Sequence, residues 1–233
     1  MDPVSGNVSD TIKRLIQRHL IIAMIKSHSL HKTNIVFVFK EHNVEPPENH
    51  EIVGLYAGAA AKGAQLVDDP LVRMKILDVP ARGLQVAWEA RRLRIENMRA
   101  VEPESSTLVE DAVMVYETLV APRKIFLDSF GFNFEVYYQM ADVIRINEHY
   151  NEIAGTFLDL GAGLMDFGWQ WTVAEKNGKE FNGYFLKVTA PLEFTMHHNT
   201  HLAAKELPSK KDLQAMFQDA YEATNRTAAK LKL

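Results

Sequence analysis

The chain contains no cysteine, so disulfides, thiolate nucleophiles, cysteine-held iron–sulfur clusters and cysteine-type zinc sites are excluded by chemistry. It has no uncharged apolar run near the roughly 18 residues that a membrane span needs. Neither sign of charge dominates: 26 Lys and Arg stand against 30 Asp and Glu, for a net charge of −4. Divided after Pro122, the chain carries 14 basic and 16 acidic residues in one part and 12 and 14 in the other. Neither part offers the cationic footprint on which duplex-binding proteins rely, so nucleic acid is not an expected partner. Residues Met1 to Asp10 hold no Lys or Arg, and the apolar run Leu20 to Ile25 is too short for a signal core. The expectation is a cytoplasmic chain with no membrane partner and no cofactor.

What is present is an ordinary globular composition, 47% hydrophobic and 24% charged, patterned into alternating strands and amphipathic helices. A helix is expected from about Ser9 to Lys26, with Leu20 to Ile25 apolar all round and therefore buried on more than one side or held in a subunit contact. Asn34 to Lys40 reads as a strand, and the Ala- and Gly-rich Ile52 to Leu66 as a weak helix. From Leu71 to Met98 apolar residues alternate in three antiparallel strands, and a helix follows from the capping box Thr107-x-x-Glu110 to its stop at Pro122. Arg92 and Arg94 share one face of their strand, where a solvated outer face explains them.

Phe132 to Met140 alternates without a break, and a further helix is expected between Ile144 and Leu158. The strongest local signal is Asn177-Gly178, the dipeptide of a type I′ hairpin turn. It sets a register in which paired residue numbers sum to 355, facing Trp171 with Tyr184 and Trp169 with Leu186. Leu192, Phe194 and Met196 resume the alternation. A last helix begins at Ser209 as N-cap and presents Leu213, Met216, Phe217, Ala220 and Thr224 on one side. These elements predict an α+β fold, a mostly antiparallel sheet with helices packed on one side, arranged as two βββα blocks with a long C-terminal helix. Residues 1–66 form an N-terminal helix, strand and small-residue segment, and residues 67–233 the sheet plus helices. The element order is similar to that of helix-grip proteins, which implies an apolar cavity beneath the last helix, and of small sheet-plus-helix export chaperones, which implies assembly through sheets.

Candidate chemistry is sparse. Phosphate-loop, Gly-x-Ser-x-Gly and kinase signatures are absent. Glu148 and Glu152 beside His149 read as an exposed helical face. His197-His198-x-x-His201 is the densest histidine group, and His197 with His201 could share a metal ion only if the strand broke near His198, with Glu193 or Glu206 as a third ligand. Tyr137 and Phe185 fall on the supposedly wet sides of otherwise apolar strands, beside Glu135, Asp166 and Gln170. A sheet with aromatics on both faces needs a second covering layer, a ligand or a partner. The leading expectation is a non-enzymatic interaction or assembly subunit, self-associating or partner-bound through these residues. The alternative is a pocket protein for a small apolar or aromatic ligand, walled by the hairpin and the last helix and oriented by Glu135, Asp166 and Gln170. A metal-dependent enzyme using His197 and His201 is the third.

Overall fold

The computed structural model describes residues 25–141, 167–174, 180–190 and 192–231. The strands in chain order are β1 (Ile25–Phe39), β2 (Gln65–Asp69), β3 (Met74–Val79), β4 (Leu84–Glu89), β5 (Arg92–Asn97), β6 (Leu127–Met140), β7 (Phe167–Ala174), β8 (Glu180–Ala190) and β9 (Glu193–Ala203). The helices are the short α1 (Asn49–Val53), α2 (Leu108–Leu119) and α3 (Lys210–Lys230). All nine strands join one antiparallel sheet in the order β2-β3-β4-β5-β1-β6-β9-β8-β7. The fold class expected from the pattern is the one observed, with the helices on one side of the sheet.

The order reveals two blocks. In the first, β1 lies beside the meander β3-β4-β5 and α2 follows; in the second, β6 lies beside the meander β7-β8-β9 and α3 follows. The blocks meet where β1 and β6 run antiparallel, so an approximate twofold axis normal to the sheet passes between those strands. Both α2 and α3 then lie on the same face, α2 against β1 and β5 and α3 against β6 and β9. Because β1 sits between β5 and β6, the amino-terminal segment supplies a central strand of the sheet.

Alternation explains which side chains meet the helices. Phe37, Phe39, Trp88, Phe130, Phe132, Phe134, Tyr138 and Phe194 all point to the helix side and are buried, together with Leu213, Phe217 and Tyr221 of α3. Phe217 lies 5.2 Å from Phe134 and 5.4 Å from Phe132, ring centre to ring centre. The hairpin register is as the turn chemistry sets it: Phe167 pairs with Val188, Trp169 with Leu186 and Trp171 with Tyr184. Asp166 and the turn itself lie outside the described residues, as do the expected helix between Ile144 and Leu158 and nearly all of the expected amino-terminal one.

Three local expectations are corrected. Ile25 and Lys26 open β1 instead of closing a helix, and β1 is far longer than Asn34 to Lys40. The stretch Ile52 to Leu66 is not one helix: α1 ends at Val53, a single 3-10 turn spans Gly58–Ala61 and β2 has begun by Gln65. Positive φ at Gly58 (59°) and Gly63 (75°) breaks the helical path, and the small side chains offer no apolar stripe to bury. Finally, Thr107 does not form the capping box of α2. Its hydroxyl donates to Asp111 Oδ2 (2.9 Å), while Ser106 Oγ accepts from the Leu108 amide (3.1 Å). Asp111 is the stronger attractor because it is a buried carboxylate also bound by Arg82 (3.0 Å) and the Tyr56 hydroxyl (3.3 Å).

Candidate functional site

The face of the sheet opposite the helices carries a different chemistry. One residue from each strand falls in a single cross-strand row: Gln65, Asp78, Gln85, Glu96, Asn34, Asn133, Asn199, Gly183 and Thr172. Every member is polar except the glycine. At its centre the Asn133 amide donates to Asn34 Oδ1 (2.6 Å), and further out Gln85 donates to Asp78 (2.8 Å). The central pair lies where β1 meets β6, so the row straddles the approximate twofold.

Charge is arranged on either side of this row. Glu96 has a buried side chain held by Lys32 (2.8 Å) and Arg94 (3.1 Å), and Glu89 holds Arg92 (2.7 Å) and Arg94 (3.4 Å). Arg92 and Arg94 therefore share the outer face, as expected, and their charge is spent on neighbouring glutamates. Arg91 turns away to bind the Phe39 carbonyl and Asp128.

The next row runs Lys32, Glu135, His197, Phe185 and Gln170. Four of the residues singled out from sequence thus stand side by side on four successive strands. His197 Nδ1 is 3.6 Å from Glu135 Oε2, and its ring is 5.7 Å from that of Phe185. Tyr137 lies on the same face. His31 stacks on its ring at 5.5 Å, and a hydrogen bond to the Glu193 carboxylate pushes its hydroxyl pKa up. Phe181 and Phe185 remain about 40% exposed (41% and 38%), which for buried-type side chains on a regular strand is high. Between these groups the face forms a groove of about 540 Å³, lined by Lys32, Asn34, Val36, Arg94, Asn133, Glu135, His197, Asn199 and His201.

Sequence reasoning missed Lys32, Asn34 and Asn199. Their only signal was alternation: Asn34 is the one amide amid the apolar run to Phe39, on the face opposite Ile35 and Phe37.

The histidine cluster divides by face. His197 and His201 are on the groove side and His198 on the helix side, because β9 continues as strand through all three. Four residues of strand separate His197 from His201 by about 13 Å of rise, so the convergence that a shared metal ion requires is not made within β9. Among the described residues there is no group of three or more His, Asp or Glu side chains placed to hold a metal ion.

His198 is instead part of the core. Its Nδ1 is 2.6 Å from Thr224 Oγ1 of α3 and its Nε2 3.0 Å from Asn182 Oδ1 of β8, and Tyr184 stacks on the ring at 4.3 Å. Burial disfavours the imidazolium and pushes its pKa down to about 4. Beside it, between α3 and strands β8 and β9, is a second recess of about 350 Å³ lined by Asn182, Tyr184, Met216, Asp219, Ala220 and Ala223.

No protein-family model matches this chain, and no curated protein is significantly similar to it in sequence.

Proposed function

We propose that the chain is a non-enzymatic interaction or assembly subunit that takes a protein partner, or another copy of itself, on the open face of its sheet. The observation that carries this reading is the row Glu135, His197, Phe185 and Gln170. It sets an exposed aromatic beside paired polar groups on a face that no described element covers. Aromatic anchors surrounded by groups able to exchange hydrogen bonds are the usual composition of a protein-binding patch. Phe181 extends the anchor, and Tyr137 with His31 bounds it.

The test replaces Phe181 and Phe185 together with serine, on exposed positions where the sheet should tolerate the change. Sedimentation velocity and crosslinking in lysate should show a complex with the unaltered protein and its loss with the variant. A wild-type chain that sediments as a monomer and crosslinks to nothing would overturn the reading.

A second reading has one observation in its favour, the recess between α3 and the β8–β9 strands, walled by the last helix and by β8 alone of the hairpin around Tyr184 and Met216, with Glu135 and Gln170 on the other face of the sheet and so not its orienting groups. A small apolar or aromatic ligand would fit its volume, which is near the lower end for ligand sites (about 300 to 1,000 Å³). Native mass spectrometry of freshly purified protein separates the two readings: a retained small molecule supports the pocket, and the bare chain mass removes it.

A further inference from the structure

The two edges of the sheet are built differently. At one end, β2 is five residues long, QLVDD, and ends on Asp68 and Asp69; Asp68 is paired with Lys75 (3.4 Å) and Asp69 accepts from the Leu71 amide (3.0 Å). Short length and charge are the devices by which sheets keep an edge from pairing with another chain. At the other end, β7 is eight residues long, FGWQWTVA, with no charged residue and no proline. Half of its backbone N–H and C=O groups point away from β8, and no described strand receives them. Its side chains Trp169, Gln170, Thr172 and Val173 are exposed.

We infer that β7 is a strand-addition edge and that its occupant is β7 of a second copy, paired antiparallel with the twofold axis lying within Gln170–Thr172. Self-pairing suits this strand because a twofold sets like residues opposite or diagonal to one another, and with no charge in β7 there is no repulsion to overcome. Trp169, Trp171 and Val173 all lie on the helix side and Gln170 and Thr172 on the open side. Each copy therefore presents apolar side chains to apolar ones and polar to polar, continuing the Trp171–Tyr184 stack (5.5 Å) across the junction. The axis is normal to the sheet, as is the approximate axis between β1 and β6, so the helices of both copies stay on one side. Growth stops at two copies, because the outer edges of the pair are then, among the described strands, the aspartate-bearing β2 strands.

The inference rests on the reading of the chain as an assembly subunit but uses the edge of the sheet instead of its face. Its test is the variant Gln170→Lys with Thr172→Lys, both at exposed positions, with circular dichroism confirming that the fold is retained. Sedimentation equilibrium of the unaltered chain should return twice the 26.4 kDa chain mass, and the lysine variant half of that. Mixing the lysine variant with a Gln170→Glu, Thr172→Glu variant should restore the doubled mass, since opposite charges then face across the axis. Hydrogen exchange should find the β7 amides protected in the unaltered protein and open in the lysine variant, with β1 and β6 unchanged. An unaltered chain that is monomeric at every concentration would overturn the inference. So would a dimer whose mass survives the lysine substitutions. In the latter case loss of the dimer in the Phe181→Ser, Phe185→Ser variant would leave the open-face reading standing.

Discussion

The two faces of this one sheet solve opposite problems with the same strands. Under the helices the strands present Phe, Trp, Tyr, Leu and Val, and in the polar knot of His198 with Thr224 and Asn182 each ring nitrogen is within hydrogen-bonding distance of a partner. On the opposite face, alternate residues of those strands supply amides, carboxylates and cations that pair with one another, across strands at Asn34–Asn133 and Lys32–Glu96 and along one strand at Arg94–Glu96. Burial sets the stability on one side. On the other, polar side chains pair with one another, and no described element covers them.

The comparison is broken most severely at Phe217. Its ring is fully buried against Phe132 and Phe134, so Phe217→Ala should cost about 3 to 5 kcal/mol of unfolding free energy, read by chemical denaturation. A loss below about 1 kcal/mol would mean that α3 is not what seals this face.

His198 gives the next effect, and its sign follows from linkage. The folded pKa of about 4 lies below the ordinary 6.5, so on acidification the unfolded chain takes up the proton before the folded one does. The contribution of neutral His198 is therefore complete above pH 6.5 and is lost as pH falls from there to about 4, at most about 3 kcal/mol in all. Denaturation midpoints measured across that range should fall less steeply in His198→Phe than in the unaltered protein, whatever the variant's absolute stability. Equal slopes would show that this histidine is not what makes the covered face sensitive to acid.

The smallest effect sharpens the description of the open face. Asn34→Val leaves the Asn133 amide without its partner and should cost about 1 to 2 kcal/mol, whereas changing both residues to valine should cost less than the two single changes together. Strict additivity in this cycle would mean that the central amides do not act as a pair.

How much of this was legible in the sequence depends on the range of the forces involved. The β7–β8 register was readable because the Asn177-Gly178 dipeptide implies a two-residue turn and the pleat assigns the faces, both local signals, and the observed pairing of Trp171 with Tyr184 agrees with them. The N-cap at Ser209 was readable for the same reason, and its Oγ does accept from the Asp212 amide (3.2 Å). The site was legible only in part. Alternation placed Glu135, Tyr137, Gln170 and Phe185 on outward faces, but which strand would lie beside which is a tertiary fact, so their alignment with His197 and Lys32 was hidden. Asn34 was masked by the neighbouring valines on its own face, Val36 and Val38, which read as core. The start of β1 was missed because Lys26 to His31 holds a single apolar residue, Leu30, and so shows no alternation; it is a strand because β6 pairs along it through two register shifts, not because of its own propensity.

The pairing of β1 with β6 also dictates the order of events as the chain is made. Asn34 and Asn133 are 99 residues apart, so the central seam closes only after the whole first block and most of β6 have been synthesised. Until then one side of the fifteen-residue β1 is an unfilled template, flanked on its other side by a β5 that is already in place. The local meanders β3-β4-β5 and β7-β8-β9 form cheaply, whereas the seam must first meet the entropy of a long loop. The barrier to folding is thus expected at the middle of the sheet, and the interval before β6 arrives is when this chain is most exposed to pairing with the wrong strand.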